Sequence, residues 1–168
     1  MKINLIKTKA LTLLISLFCL EISAQESLKI GDKAPEISTK TIDGKDFNLG
    51  SLKGKIVLLD FWATWCAPCV EEQPELKKLN LSLKNYDFEL IGFSLDKNKE
   101  SWEKVVKRLE IDWTQIGDLK FWKSPVAKDY AVSELPYNLI IDKDGTILKI
   151  NLHGKELEEY LTNLFSTQ

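Results

Sequence analysis

Two cysteines three residues apart, Cys66 and Cys69 in "WATWCAPC", are the residues of this chain best suited to chemistry. Three uses of such a pair compete: a structural bridge, part of a metal site, or a redox couple. A structural bridge stabilises most when it closes a long loop, and this one would close only two intervening residues. A structural zinc ion needs about four ligands. His153 and these two thiols are too few. A C-x-x-C-H haem attachment site fails because residue 70 is Val. A redox couple is what the spacing favours.

The elements around the pair must position it. "KIVLLDFWA" is a dense apolar run, expected to form a strand buried on both faces. From Cys66 to about Lys84 the spacing is helical. At about 100° per residue, Cys69, Leu76, Leu79 and Leu83 share one stripe, and Glu72 falls on it too. Cys66 lies off its edge, in the first turn. Free N–H groups and the helix dipole favour a thiolate there, which lowers the pKa of Cys66. Cys66 is therefore expected to be partly exposed and to attack a disulfide. Cys69 is expected to face the core and to resolve the mixed disulfide. Pro74 removes the hydrogen bond to the Val70 carbonyl and should kink this helix.

Further along, "FELIGFSL" reads as a second buried strand, and "NKESWEKVVKRLE" as a helix capped by Asn98 or Ser101. "DWTQIG" reads as a short strand or extended loop, and "SPVAKDYAV" as a short helix opened by Pro125. Asp43-Gly44 and Asp144-Gly145 each mark a hairpin turn. The last helix, "GKELEEYLTNLF", sets Leu157, Tyr160, Leu161 and Leu164 on one face. Residues 25–34 look like a polar leader. Strands and helices alternate in the middle with hairpins at both ends. The expected fold is α/β, a central mixed sheet flanked by helices with an N-terminal β-hairpin extension.

The first 24 residues have the layout of a secretory signal peptide: Lys2, Lys7 and Lys9, then the uncharged "ALTLLISLFCL", then a small residue at Ala24. The run is shorter than the roughly 20 residues that span a bilayer. Two alternatives are an uncleaved tether and a lipoprotein acylated at Cys19, against which the bulky Phe18 argues. Cleavage after Ala24 would leave residues 25–168 as one domain with a net charge of about −4 and no cysteines but Cys66 and Cys69. An exported, periplasmic location is expected, outside the cytosolic thiol pool. The full chain has 168 residues, 44% of them hydrophobic, and a net charge of −2, which gives no reason to expect nucleic acid as a partner.

"LLDFWATWCAPC" resembles the active-site strand and motif of thioredoxin-fold proteins. The longer pattern, from "GDKAPEISTKTIDGKDFNLGSLKGKIVLLDFWATWCAPCVEEQPEL" to "AVSELPYNLIIDKDGTI", resembles the exported TlpA/ResA-like thiol-disulfide oxidoreductases over roughly residues 29–165. The resemblance implies a thioredoxin-like fold, with Cys66 as nucleophile and Cys69 as resolving thiol. It makes Trp65 the flat aromatic beside the site and Pro68 the residue that tunes the couple. Asp60 matches the buried acid of the strand, and Glu72 the helix acid of the ResA-like branch. Pro136 matches the cis-proline facing the disulfide, and Leu135 the residue whose backbone pairs with substrate. Asp60 and Glu72 both suit proton transfer with Cys69, since a buried carboxyl has a raised pKa. Each also has a plainer reading, as a strand-end acid and a solvated helix acid.

No cofactor beyond the cysteine pair and no metal is expected. The implied partners are protein disulfides and a membrane-bound thiol reductase as electron donor, one client being the haem-attachment site of an apocytochrome c. The protein is expected to act as a monomer. Three departures from the pattern stand out. Tyr137 and Asn138 replace small hydroxyl residues after the proline. Gly92 falls where thioredoxin has a Lys opposite its acid, and Ala67 replaces a Glu between the cysteines. Trp102, Trp113 and Trp122 read as packing aromatics, and His153 as a polar residue without a role. Two other functions are weighed. A thiol peroxidase would carry P-x-x-x-T-x-x-C, but Thr64 lies only two residues before Cys66. A non-enzymatic binding module would need neither thiol.

Overall fold

The computed structural model describes residues 28–166. The signal segment 1–24, with Cys19 and the apolar run, lies outside the described residues. The strands are β1 (Ser38–Thr41), β2 (Asp46–Asn48), β3 (Ile56–Trp62), β4 (Phe88–Ser94), β5 (Thr114–Gly117), β6 (Tyr137–Ile141) and β7 (Ile147–Ile150). The helices are α1 (Ala67–Leu83), α2 (Lys99–Arg108), α3 (Pro125–Asp129) and α4 (Gly154–Ser166). Short 3-10 turns occupy Leu49–Leu52 and Phe121–Lys123. None of these helices is long and apolar enough to cross a membrane.

The strands form one sheet in the order β2-β1-β5-β4-β3-β6-β7. β3, β4 and β5 run parallel; β6 runs antiparallel to β3, and β1 antiparallel to β5. The β1–β2 hairpin therefore extends one edge of the sheet, and the β6–β7 hairpin closes the other. β3 is central, and all seven of its residues are buried.

Strand periodicity divides β3 between the two layers. Ile56 and Leu58 pack with Leu76, Leu79 and Leu83 of α1 and Leu157, Leu161 and Phe165 of α4. Val57, Leu59 and Phe61 pack on the opposite side, with Trp102 of α2 and Ala127 beside Tyr130. Each fully buried Leu or Ile contributes about 1.5–3 kcal/mol, so this double burial makes β3 the most firmly held strand. Asp60 follows the even-numbered alternation and faces α1. Phe165 joins the buried face of α4, which the helical spacing had assigned to Leu157, Tyr160, Leu161 and Leu164; Tyr160 and Leu164 are only half-buried.

Local chemistry sets the ends of the elements. The Asn98 side chain caps α2 by accepting from the Ser101 N–H at 2.8 Å. Gly44 and Gly145 take φ of +82° and +87° in the two hairpin turns, which Gly adopts without a steric penalty. Residues 28–34 are not a free leader. Gly31 and Ala34 donate to the carbonyls of Ile147 and Gly145 at 2.9 Å each. Leu28 and Ala34 pack against the core, which gives this stretch apolar surface to bury.

Candidate active site

β3 delivers the chain to the site. After Trp62 the loop is held by Asp96, just past the end of β4. Asp96 accepts from the Thr64 N–H at 3.0 Å and from the Thr64 hydroxyl at 2.6 Å. Asp96 is itself fixed by the Ser94 hydroxyl at 2.8 Å. The next residues start α1, with Cys66 as its N-cap and Pro68 in the first turn, where a missing N–H costs nothing.

Cys66 and Cys69 are joined by a disulfide. The Cys69 N–H donates to Cys66 Sγ at 3.3 Å, and the Val70 N–H to the Cys66 carbonyl at 3.1 Å. The second is the first regular bond of the helix, and the first satisfies one of the free donors at the helix end with the Cys66 sulfur. Its expected partial exposure is corrected: Cys66 is 6% exposed, against 1% for Cys69. The bond to Cys69 and the capping contact turn the Cys66 sulfur back onto the helix. Trp65, Ala67 and Pro68 around it are exposed, so the bond lies just beneath the surface.

Behind the disulfide lies a polar pocket inside the α1–α4 layer. Asp60 is 2% exposed. Burial, then the charge of Glu72, push its carboxyl up to about 7; a hydrogen bond from Gln73 and the charge of His153 oppose this. Glu72 is almost covered, with a side chain 12% exposed. His153 Nδ1 lies 2.9 Å from Glu72 Oε1 and 3.2 Å from Oε2. That hydrogen bond, above all, raises the His153 pKa. Gln73, buried one turn beyond Cys69, donates from Nε2 to the Cys69 carbonyl at 3.1 Å. The stripe that predicts Leu76 and Leu79 as buried also contains Gln73, at the i,i+4 position from Cys69.

His153 is the main residue that sequence reasoning missed. The sequence gives it no role, yet it pairs with Glu72 from 81 residues away. Asn138, which stands where the family pattern has a small hydroxyl residue, does not face outward. Instead it is buried opposite Asp60. Its amide donates to the Leu152 carbonyl at 2.6 Å and accepts from the Leu152 N–H at 3.2 Å. Tyr137, half-buried, packs edge-on to Phe61 with ring centroids 6.1 Å apart.

The Leu135–Pro136 peptide bond is cis. Because β6 is antiparallel to β3, with Tyr137 opposite Phe61, Leu135 and Pro136 sit at the end of β3 from which the cysteine loop departs. Both are half-buried. On another side of the cysteines is an aromatic shelf. Trp65 lies 5.1 Å from Phe121 and 6.0 Å from Trp122, centroid to centroid. Trp65 and Trp122 are 47% and 40% exposed. Trp122 is thus not the packing aromatic expected, whereas Trp102 and Trp113 are buried. The 3-10 turn that carries both rings has no buried residue, and Phe121 takes a left-handed φ of +57°. Lys97 Nζ sits 4.3 Å from the Phe121 ring centre. Among the described residues, no group of three or more His, Cys, Asp or Glu side chains is arranged to hold a metal ion.

Comparisons with known proteins agree with this geometry. Residues 30–150 match the family model described as the AhpC/TSA family. Thiol-disulfide oxidoreductase ResA of Bacillus cereus (strain ATCC 10987 / NRS 248) is 32% identical, covering 84% of this chain and 82% of that protein. Thioredoxin-like protein YneN of Bacillus subtilis (strain 168) is 34% identical, over 84% of this chain and 81% of its own length. The thioredoxin domain of a thiol-disulfide oxidoreductase from Bacteroides vulgatus superposes with a TM-score of 0.77 at 30% identity, covering 82% of this chain and 99% of that one. A C-terminal domain from the corresponding type of protein in Bacteroides thetaiotaomicron gives 0.78 at 32% identity, over 83% and 98%. With its thioredoxin-like sheet and its Cys66–Cys69 couple, the chain belongs to the AhpC/TSA family and, within it, to the ResA-like thiol-disulfide oxidoreductases.

Proposed function

We propose that the protein is an exported reductant of protein disulfides that works through Cys66 and Cys69 alone, without a further cofactor. The observation that carries the reading is the Cys69 N–H aimed at Cys66 Sγ at the first turn of α1. Once the disulfide is reduced, that donor and the helix dipole stabilise negative charge on Cys66 rather than on Cys69. Cys66 thiolate attacks one sulfur of a client disulfide. A Cys66–client bond forms, and the other client sulfur leaves as a thiolate that takes up a proton. Cys69 gives its proton to Asp60 and attacks Cys66 Sγ. The Cys66–client bond breaks, and the second client sulfur leaves with the electron pair and is protonated. Two electrons pass from the cysteine pair to the client.

In this reading Asp60 is the base for Cys69, and Glu72 is the neighbouring acid that shares its pocket. Trp65, Pro68, Leu135 and Pro136 contact the client, and the shelf of Phe121 and Trp122 extends that surface. Leu119 and Phe121, with φ of +58° and +57°, support this role. Such left-handed residues cost roughly 1–2 kcal/mol each and concentrate at binding sites. Export is supported by the layout of residues 1–24. The remaining proposals are a monomer in the periplasm, a membrane-bound thiol reductase as donor, and an apocytochrome c haem site as one client.

The test is reduction of insulin disulfides by wild type and Cys66→Ser. Turnover by wild type and none by the variant is the expected outcome, and undiminished turnover in the variant overturns the reading. Rapid peroxide consumption by the reduced protein would instead indicate a thiol peroxidase.

A further inference from the structure

Resolution by Cys69 requires Asp60 to hold a negative charge in a buried place. The neighbouring strands supply no cation. Asp60 stands opposite Gly92 on β4 and Asn138 on β6. Beside Gly92 the space is taken by the Gln115 side chain, whose amide atoms would lie 2.5–2.8 Å from an added Cβ. Gln115 is fixed there by accepting from Trp62 Nε1 at 2.9 Å. The charges that reach Asp60 come from elsewhere: Glu72 on α1 and His153 in the turn before α4.

That turn is built to hold the imidazole. Asn138 binds both the N–H and the carbonyl of Leu152. The Asn138 N–H donates in turn to Asn151 Oδ1 at 3.3 Å, and Asn151 has a left-handed φ of +54°. His153 Nδ1, facing both Glu72 oxygens, must carry the hydrogen. Asn138 Nδ2, 3.4 Å from the same nitrogen, is also a donor and so is a neighbour rather than a partner.

We propose that His153 is a positioning residue for the resolving step: its imidazolium holds Glu72 and offsets the second carboxyl, so that Asp60 can take the proton of Cys69. The proposal rests on the reading of Cys69 as resolving thiol and Asp60 as its base. The directions of the shifts agree with it. Glu72 raises Asp60 and His153 lowers it, while the bond to Glu72 keeps His153 charged to higher pH than usual. The other charged groups in the groove between α1 and α4 are Glu75 and Lys78 from α1 and Lys155 and Glu158 from α4. They are exposed, two of each sign, and screened by solvent. On β6, Asn138 is neutral.

The experiment follows the reduced protein after mixing with dithiobis-nitrobenzoate. Attack by Cys66 releases one thionitrobenzoate and leaves the other bonded to Cys66. Attack by Cys69 on Cys66 Sγ releases the second. The second rate is measured from about pH 5 to about pH 9 in wild type, His153→Gln, His153→Lys and Glu72→Gln. His153→Gln keeps a donor but loses the charge. Its profile should move to higher pH, with the rate at neutral pH down roughly three- to tenfold and the curves meeting at the alkaline end. His153→Lys should move the profile back, and Glu72→Gln should move it to lower pH. A His153→Gln profile that overlays wild type, or falls by one factor at every pH, overturns the proposal. So does a Glu72→Gln profile displaced upward. Absence of the first release in wild type would instead overturn the assignment of Cys66, so the two failures are distinguishable.

Discussion

Replacing Asp60 with Asn should make the oxidised protein more stable, and only above about pH 4. Asp60 titrates at 3.8 when unhindered and at about 7 in the folded protein, chiefly because burial disfavours its charge. Between those values the unfolded chain has lost this proton and the folded chain keeps it. The folded state binds more protons, so stability falls as pH rises through the window. Below it both states are protonated and the penalty vanishes. Above it both are ionised and the penalty is complete. About three powers of ten in the proton equilibrium, at about 1.4 kcal/mol each, set its upper bound at about 4 kcal/mol. Asn carries no charge to bury. The stability difference between Asp60→Asn and wild type should therefore be close to zero at pH 4 and grow by several kcal/mol by pH 8. Urea denaturation with the disulfide intact, followed by tryptophan fluorescence at both pH values, measures it. A difference that does not change with pH, or a variant less stable than wild type at pH 8, refutes the argument. The same variant should resolve mixed disulfides slowly, trading activity for stability.

Three further outcomes are expected. Cys69→Ala should accumulate a mixed disulfide at Cys66 with any client it meets, seen by mass spectrometry as a mass gain reversed by a thiol reductant; a protein that stays unmodified beside an excess of disulfide contradicts the role of Cys66. Gly92→Ala should cost about 1–3 kcal/mol, because the new methyl meets the Gln115 amide and displaces it from Trp62; urea titration should show part of this loss recovered in Gly92→Ala/Gln115→Ala. Trp122→Ala should change stability by less than about 0.5 kcal/mol, since the ring is exposed. Its penalty should appear in the KM for a protein disulfide, roughly three- to tenfold, and an unchanged KM removes Trp122 from the client surface.

What could be read from the residues is what local periodicity controls. The buried run "KIVLLDFWA" became β3, and its alternation alone turns Asp60 toward the layer that holds Cys69. Helical spacing placed Leu76, Leu79 and Leu83 correctly beneath that cysteine. Asn98 and the two Asp-Gly turns were legible because each satisfies a backbone need on the spot. His153 was not legible, because its meaning depends on the β6–β7 hairpin bringing it back to α1 and on Asn138 fixing its turn. No short-range pattern encodes that return. Residue type alone does not place Trp122, which lies in a 3-10 turn with no buried residue. Cys66 was read as more exposed than it is, since an N-cap in a closed disulfide folds its side chain back over the helix.

The strand–helix junction keeps the two halves of the chemistry on different sides of one short motif. Cys66 is buried between the exposed neighbours Trp65 and Ala67, and Trp65 continues into the ring cluster of Phe121 and Trp122. Cys69 is more deeply buried, and its backbone carbonyl is bonded by Gln73, which with Glu72 and His153 surrounds Asp60. In the proposed reaction the shelf bears on how a disulfide is captured, and the polar pocket on how the captured sulfur is released. On that proposal a client would need to recognise only the shelf, and client choice could change without disturbing proton transfer. The polar pocket, anchored in the most buried strand of the sheet and in the turn before α4, has no such freedom: a change at Asp60, Asn138 or His153 alters a charge balance inside the core. Residues free to set specificity should therefore lie in the loops around Trp65, Phe121 and Leu135, while those that set the pH range of turnover lie between α1, β3 and α4.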